Sequence, residues 1–419
     1  MVKTKGKVRA IMAVSLLAVA LILLVGQGIA LPALTPIEEL GQNLYFDEDL
    51  SEPSGQSCAS CHEPDSGFVD PDSGLPVSEG VIAGRFGDRN SPSAAYAMFA
   101  PIFYFDDVEG LWIGGQFWDG RATGEVLGDP LADQALGPFL NEVEMNNPDK
   151  DTVIRDVAVS DYAELFDEVW GAGSLDNVET AYNQVALSIA AFERTELFAP
   201  FTSKYDAYLQ ACLARGGRMD KCAVGATSKA KKARVGILTD QEWRGMQLFM
   251  NVKNNNDGVL KKSEGAMCAA CHVADWTPAV GNVVVPAWAP AGMVPPVFTD
   301  FTFDNLGVPK NKEWPLDANA PADLGLGDIV NDVNENGKFK VMGLRNIEVT
   351  GPYAHNGLFK SLDEITHFYN TRDVPAENWD PPEVPATINV TELGNLGLSA
   401  ADEAALVAFM KTLTDSNQY

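Results

Sequence analysis

The sequence predicts a mainly α-helical protein of two similar domains, joined at an interface and interleaved with long irregular loops. Three observations predict this. An eleven-residue pattern occurs twice, as Thr35-Pro-Ile-Glu38-Glu-Leu-Gly41-Gln-Asn-Leu44-Tyr45 and as Thr239-Asp-Gln-Glu242-Trp-Arg-Gly245-Met-Gln-Leu248-Phe249. Each copy leads into a Cys-x-x-Cys-His motif: Cys58, Cys61 and His62 follow the first, and Cys268, Cys271 and His272 follow the second. Elsewhere apolar residues recur at helical spacing, as in Val178, Tyr182, Val185, Ile189 and Phe192.

At the amino terminus, Lys3, Lys5, Lys7 and Arg9 precede an apolar run over 10–25, and small residues follow at Gly28 and Ala30. This is the order of a secretory signal peptide, so residues 1–30 are read as one, cleaved near Ala30. An uncleaved anchor is the alternative, because 11–30 is just long enough to span a bilayer. Either way the folded part lies outside the cytoplasm, in the periplasm, where disulfides persist. Residues 31–205 then form an N-terminal domain. Both copies of the repeat open with Thr-x-x-Glu, a capping box that starts a helix. Another helix is entered at Asp176. Residues 206–236, containing Lys, Gly and small residues, are read as a linker or insertion holding the domain boundary. Cys212 and Cys222, close together in sequence, pair there as a local disulfide. Residues 237–419 form a C-terminal domain, in which 274–338 has many Pro, Gly and Asn and is expected to be long loops. Ser361-x-x-Glu364 caps a helix that sets Leu362, Ile365 and Tyr369 on one face. The last helix opens at Ser399, with Asp402 on its first turn, and buries Leu406, Phe409 and Leu413.

The chemistry rests on the two Cys-x-x-Cys-His motifs. Each supplies two thiols that bond to haem vinyl groups and a histidine that ligates the iron from one side. Together they use four of the six cysteines and two of the four histidines. Zinc is the alternative, but a tetrahedral ion leaves each Cys2His set one ligand short unless the sets share partners. Two covalently bound c-type haems follow, and the domains are cytochrome c-like. Loss of residues 1–30 would take the formal charge from −28 to −32. So acidic a surface argues against nucleic acid and anionic membranes, and suits a basic redox partner or a salty habitat.

Two haems alone do not separate an electron carrier from an enzyme. A carrier keeps both irons six-coordinate, whereas a peroxidase leaves one face open beside an acid–base group. The remaining histidines, His355 and His367, lie far beyond the second motif, and His62 is the only histidine that precedes His272. Unless Met98 or Met145 binds, or a distant histidine crosses over, the first haem has an open face where peroxide can bind.

Further motifs make the reading specific: residues 40–51 before the first haem; Arg89-Asn90-Ser91-Pro92; Phe117-Trp118-Asp119-Gly120-Arg121; Gln134-Ala-Leu-Gly-Pro138, through Asn141 to Glu144-Met145; Leu344-Arg345-Asn346; and Thr350-Gly-Pro352-Tyr353-Ala-His355. In these the chain resembles the bacterial diheme cytochrome c peroxidases, a family that includes the MauG-type enzymes, which oxidise a protein partner. The resemblance covers nearly all of the chain beyond residue 30. It implies that the first haem is peroxidatic and the second relays electrons. It makes Glu144 the acid–base group of the first pocket, with Gln134 and Pro138 beside it. Splitting an O–O bond needs a proton moved from one oxygen to the other, which a half-buried carboxylate can do. Gln134 follows Trp118 at a longer spacing than usual, so 124–133 resembles an insertion. Trp118 matches a tryptophan between the haems, although a buried aromatic filling the interface would occupy the same position. Asn90, Thr350 and the Pro352 carbonyl match a calcium site of hard oxygen ligands completed by water. Related enzymes are often homodimers, and a homodimer is possible here.

Two departures from most of the family carry information. Most members close the first haem with a histidine in the loop after the first motif; here Val81 stands at that place, and valine cannot ligate iron. The first haem is therefore expected to be open with both irons ferric, unless another ligand such as Met98 swings in. Most members ligate the second iron with Met, whereas the matching position, downstream of His355, is Tyr369, as in MauG-type enzymes. His367 falls about 200° round the helix from Tyr369 and should point away; His367 and Met342 remain the alternatives. A tyrosinate ligand lowers the reduction potential relative to Met. His355 is expected to hydrogen-bond near a haem behind the calcium-binding backbone, or simply to fix a turn.

Three classes of function stand. One is a peroxidase that reduces hydrogen peroxide with electrons from a small cytochrome c or cupredoxin. The second is a MauG-like enzyme oxidising Trp or Tyr on a partner protein through Trp118. The third is an electron carrier, against which Val81 and Glu144 both speak. The peroxidase is the leading expectation.

Overall fold

A computed structural model of the chain describes residues 33–251 and 265–416, so the segment read as a signal peptide lies outside the described residues. The helix Pro36–Phe46 carries Glu38 and Glu39 in its first turn, where carboxylates complement the helix dipole, and buries Leu40, Gly41, Leu44 and Tyr45. It packs on the helix Val178–Phe192 so closely that a Cβ on Gly41 would sit 1.9 Å from the Ser188 carbonyl oxygen. The second copy of the repeat does the same. The helix Asp240–Phe249 has the expected Thr239–Glu242 capping box, and a Cβ on Gly245 would lie 1.8 Å from the Ala405 oxygen of the helix Ala400–Lys411. The shared sequence pattern thus encodes a shared contact, in which glycine lets two backbones touch. Aromatics repeat as well. Tyr45 meets Phe192 and Phe198 edge-on, and Phe249 meets Phe298 and Phe409.

Most helix boundaries agree with their sequence signals. The helix Val178–Phe192 is capped by Asn177, just beyond the expected Asp176, because the amide oxygen of Asn177 accepts the Thr180 N–H. Ser399 caps the last helix through the Asp402 N–H, and Leu406, Phe409 and Leu413 are buried. Ser361 caps the helix Leu362–Thr371, although Glu364 reaches back to the Lys360 N–H rather than closing a reciprocal box with Ser361.

The stretch 206–236 is not an extended linker. It lies within the helices Lys204–Ala214, Met219–Ala223 and Ser228–Ala233 and their turns, with Cys212 and Cys222 bonded at a Cα–Cα distance of 5.9 Å. Tyr205, Tyr208, Leu209, Ala230 and Ala233 join Trp243, Met246 and Phe249 in one core cluster. Alanines and glycines that read as linker composition serve here to pack short helices closely. The same helices are tied to the 340s by Arg345, whose guanidinium pairs with Asp206 at 2.7 Å, both side chains being almost wholly buried.

Residues 274–338 are mostly loops, as expected, with a short α-helix at Leu326–Val330 and a 3-10 turn at Val333–Glu335. Strand content among the described residues is three two-stranded antiparallel pairs: Tyr104–Asp106 with Leu111–Ile113, Thr277–Pro278 with Met293–Val294, and Phe303–Asp304 with Phe339–Lys340. Residues from Pro36 onward form one compact unit. No described helix is long and apolar enough to cross a membrane.

Candidate active site and haem-binding cavities

The first Cys-x-x-Cys-His motif makes a single helical turn, Cys58–Cys61, held by the Ser60 hydroxyl accepting the Ser57 N–H. Tyr45 donates its hydroxyl proton to the His62 carbonyl at 2.8 Å, fastening the first helix to the motif. His62 Nδ1 lies 3.2 Å from the Phe68 carbonyl, so that nitrogen carries the proton and Nε2 is left for a metal. Burial pulls the imidazole below its ordinary pKa, keeping it neutral as a ligand must be. The second motif repeats the arrangement, with His272 Nδ1 3.0 Å from the Phe298 carbonyl and burial again lowering the pKa.

Burial also pushes the Cys61 and Cys268 thiols up to about 12, and lifts Cys58 and Cys271 far above the usual thiol range. Among the described residues, the three ligand atoms of neither motif come together as a metal site. The donor set instead fits haem. Cys58, Cys61 and His62 line a cavity of about 820 Å³, a volume within the usual range for ligand sites. Cys268, Cys271 and His272 line a second, narrower one.

Glu144, Gln134 and Trp118 all line the first cavity. Glu144 sits on a tight turn closed by its own N–H to the Asn141 carbonyl and by the Met145 N–H to the Pro138 carbonyl. Burial raises the Glu144 carboxyl above its ordinary pKa, opposed by the Arg121 charge and an Asn141 hydrogen bond. Gln134 lies on the helix Pro130–Ala135, which starts with an Asp129 cap and Pro130. The insertion-like stretch 124–133 wraps around one carboxylate, with Asp133 accepting the N–H groups of Gly124, Val126 and Leu127. Neither Val81 nor Met98 lines the cavity, whereas Met145 does. The Val81 N–H donates to the Glu144 carbonyl at 2.9 Å, so the strap after the first motif is bonded to the turn that carries the acid.

Trp118 lines both cavities. Its indole N–H donates to the Asn90 carbonyl at 2.8 Å, and its own carbonyl accepts the Lys340 N–H at 2.7 Å. Asn90, Thr350 and Pro352 line the second cavity together. Asn90 spends its amide N–H on the Pro76 carbonyl, which leaves its side-chain oxygen as the acceptor that a cation would use.

Tyr369 lines the second cavity, where burial raises the pKa of its phenol. His367 does not line it. Its Nδ1 is 3.0 Å from Glu403 and its Nε2 is 3.2 Å from Glu377. Met342 lines the cavity, but its backbone is a hydrogen-bond partner of His272, which places it on that histidine's side.

The sequence reading left His355 between two roles, named Arg89 only as part of a motif, and did not single out Glu193. His355 is buried, stacks on Phe339 at 3.6 Å, lines both cavities and has no partner for Nε2; burial lowers its pKa to about 4. Arg89 lines the first cavity and pairs with Asp119 and Asp323. Glu193, at the end of the helix Val178–Phe192, lines the first cavity with one oxygen unpartnered and is pushed by burial up to about 8. Its one signal is a lone acid one helical turn beyond Ile189 on an apolar face.

The sequence model of the di-haem cytochrome c peroxidase family matches residues 36–212. The methylamine utilization protein MauG of Paracoccus denitrificans is 33% identical over 412 residues, spanning 92% of this chain and 90% of that protein. The cytochrome c551 peroxidase of Nitrosomonas europaea is 27% identical, spanning 91% of this chain and 82% of its own. Among solved structures, the diheme peroxidase BthA of Burkholderia thailandensis superposes with a TM-score of 0.71 at 27% identity, covering 92% of this chain and 88% of that one.

Proposed function

Because the chain belongs to the di-haem cytochrome c peroxidase family, we propose that it reduces hydrogen peroxide to water in the first cavity, with electrons passed through the second from a small redox protein. The observation that carries this is Glu144, a carboxyl with a raised pKa in the cavity lined by Cys58, Cys61 and His62. The haem bound there supplies the iron at which peroxide is reduced. His62 would hold that iron from one side, its Nδ1 fixed on the Phe68 carbonyl. Glu144 accepts the proton of one peroxide oxygen and returns it to the other, which leaves as water. Two electrons and two protons convert each peroxide to two waters. Gln134 offers an amide to orient the reacting oxygens. Trp118, on the wall of both cavities, is the natural path for the electrons. Residues 31–205 and 237–419 are read as the two haem domains, each built on one copy of the helix–glycine contact. The oxygens of Asn90, Thr350 and Pro352 would hold a calcium ion at their junction. The segment 1–30 acts as an export signal.

Tyr369 favours a second reading. If its phenolate ligates the second iron, the potential falls, and peroxide would drive oxidation of Trp or Tyr on a partner protein, the MauG-like outcome. Mixing the fully ferric holoprotein with one equivalent of peroxide tests the proposal. An immediate change in the haem absorption bands is expected, because Val81 offers iron no ligand. Absence of any reaction until one haem is reduced would refute an open first site. Quenching of the product by reduced cytochrome c, rather than slow decay, separates the two readings in favour of the peroxidase.

A further inference from the structure

Five of the fifteen exposed large hydrophobics among the described residues fall within ten residues of sequence: Ile102, Tyr104, Phe105, Val108 and Leu111. They lie on and beside the hairpin Tyr104–Asp106 with Leu111–Ile113, Phe105 on the face of Trp112 and Tyr104 and Leu111 on the other, and Val108 at its turn is 90% exposed. Clustered apolar surface of this kind marks an interaction site. Its rim is of one sign. Asp106, Asp107 and Glu109 crown the turn, and the stretch 90–120 contains no Lys or Arg.

The hairpin is also wired inward. Phe105 meets Trp112 at 5.1 Å, Trp112 stacks parallel on Phe103 at 4.8 Å, and Phe103 meets Phe303 edge-on at 5.9 Å. Phe103 and Phe303 close over Gly120, where a Cβ would come within 2.9 Å of both rings. Gly120 follows closely on Trp118, and Lys340, the strand partner of Phe303, donates its N–H to the Trp118 carbonyl. The ring column thus begins at the hairpin and ends at Phe303, next to Asp304, which lines the second cavity.

Resting on the peroxidase reading above, we propose that this hairpin is the docking surface for the electron donor, a small redox protein whose exposed cofactor edge lies in an apolar patch ringed by lysines. Each docking moves one electron from the donor's reduced cofactor through the Trp112–Phe103–Phe303 column toward the second cavity, whose haem would relay it, and two dockings supply the two electrons that one peroxide consumes. The acidic rim steers a basic partner and makes its binding salt-dependent. A second copy of this chain would bring the same three carboxylates against themselves.

The test uses the full haem-loaded protein and a lysine-rich mitochondrial-type cytochrome c. Two variants remove different halves of the surface: Phe105→Ser with Val108→Ser, and Asp107→Lys with Glu109→Lys. Val280→Ser, at an exposed apolar residue elsewhere, is the control. Titration calorimetry with the ferric cytochrome reads binding without turnover. Both double variants should weaken it about tenfold or more, as expected when a central interface contact is lost, and the charge variant should flatten its salt dependence. The KM for ferrous cytochrome should rise in parallel, with turnover of the neutral phenol guaiacol unchanged. Wild-type affinity in both double variants, or no binding to the wild type, overturns the proposal. So does a wild-type dimer in gel filtration that becomes monomeric in the serine variant, because a second copy would then own the surface. Failure of guaiacol turnover in the wild type would instead strike the peroxidase reading, which separates the two failures.

Discussion

Glu144→Gln isolates the proton-transfer step, because little else at this position depends on a carboxylate. The turn is closed by main-chain bonds, the Glu144 N–H to the Asn141 carbonyl at 3.0 Å and the Val81 N–H to the Glu144 carbonyl at 2.9 Å, and glutamine preserves both. The substituted amide has the same size and can still meet Asn141, but it cannot accept and return a proton. Loss of a general acid–base group costs roughly 10²–10⁴-fold in rate, or about 3–5 kcal/mol of barrier. Burial brings the carboxyl closer to neutral pH than a free glutamate, where such a group works best, so the upper half of that range, about 10³-fold or more, is expected. The assay is stopped-flow mixing of ferric protein with peroxide, read as a second-order rate constant across pH. Glu144 acts first as a base and must be ionised, so the wild-type rate should fall with acid through a pKa above the ordinary 4.5. Glu144→Gln should lack that limb. Arg121→Gln should move it to higher pH, because the guanidinium favours the ionised form. A Glu144→Gln rate within about threefold of wild type, or a retained acid limb, would remove this residue from the chemistry.

Tyr369→Met should raise the reduction potential of the second haem, as methionine ligation does, whereas His367→Ala, which frees only Glu403 and Glu377, should leave it unchanged. Potentiometric titration followed in the visible region checks both, and a shift with His367→Ala alone would reverse the assignment. Asp206→Ala should destabilise the protein by about 3–5 kcal/mol, the cost of an unpaired buried charge, because Arg345 would keep only Ser203 and the Pro296 carbonyl. Urea unfolding measures this, and a loss below about 1 kcal/mol would mean that water or another anion reaches the site.

Features encoded in local spacing were legible in the sequence. The two motifs, the helix caps at Thr239, Ser361 and Ser399, and the separation of Tyr369 from His367 round one helix each depend on neighbours in the chain. The repeat was legible as a pattern, but its reason, a glycine under a carbonyl of a helix far along the chain, needed the fold. The short helices within 206–236 were not legible because lysine and glycine suggest a linker or insertion, while the alanines that pack against Trp243 and Met246 carry no signal of burial. Glu193 and Lys340 were missed, and the full burial of His355 was not foreseen, for a related reason. A single charged or titratable residue normally lies in solvent, and only tertiary packing turns these three inward. Burial holds Lys340 down to about 7.

The hydrogen bond from Val81 to the Glu144 carbonyl constrains how such an enzyme could be redesigned or could drift. A Cβ on the adjacent Gly80 would fall 2.4 Å from the Val143 oxygen, so the two segments touch along their backbones as well. A histidine placed at residue 81 would have to pull the strap inward to reach iron, and that movement would tug the acid-bearing turn with it. Self-inhibition by such a gate and a stationary acid are therefore mutually exclusive states of one mechanical unit. With valine at this place, the bond from the strap to the acid-bearing turn stays undisturbed.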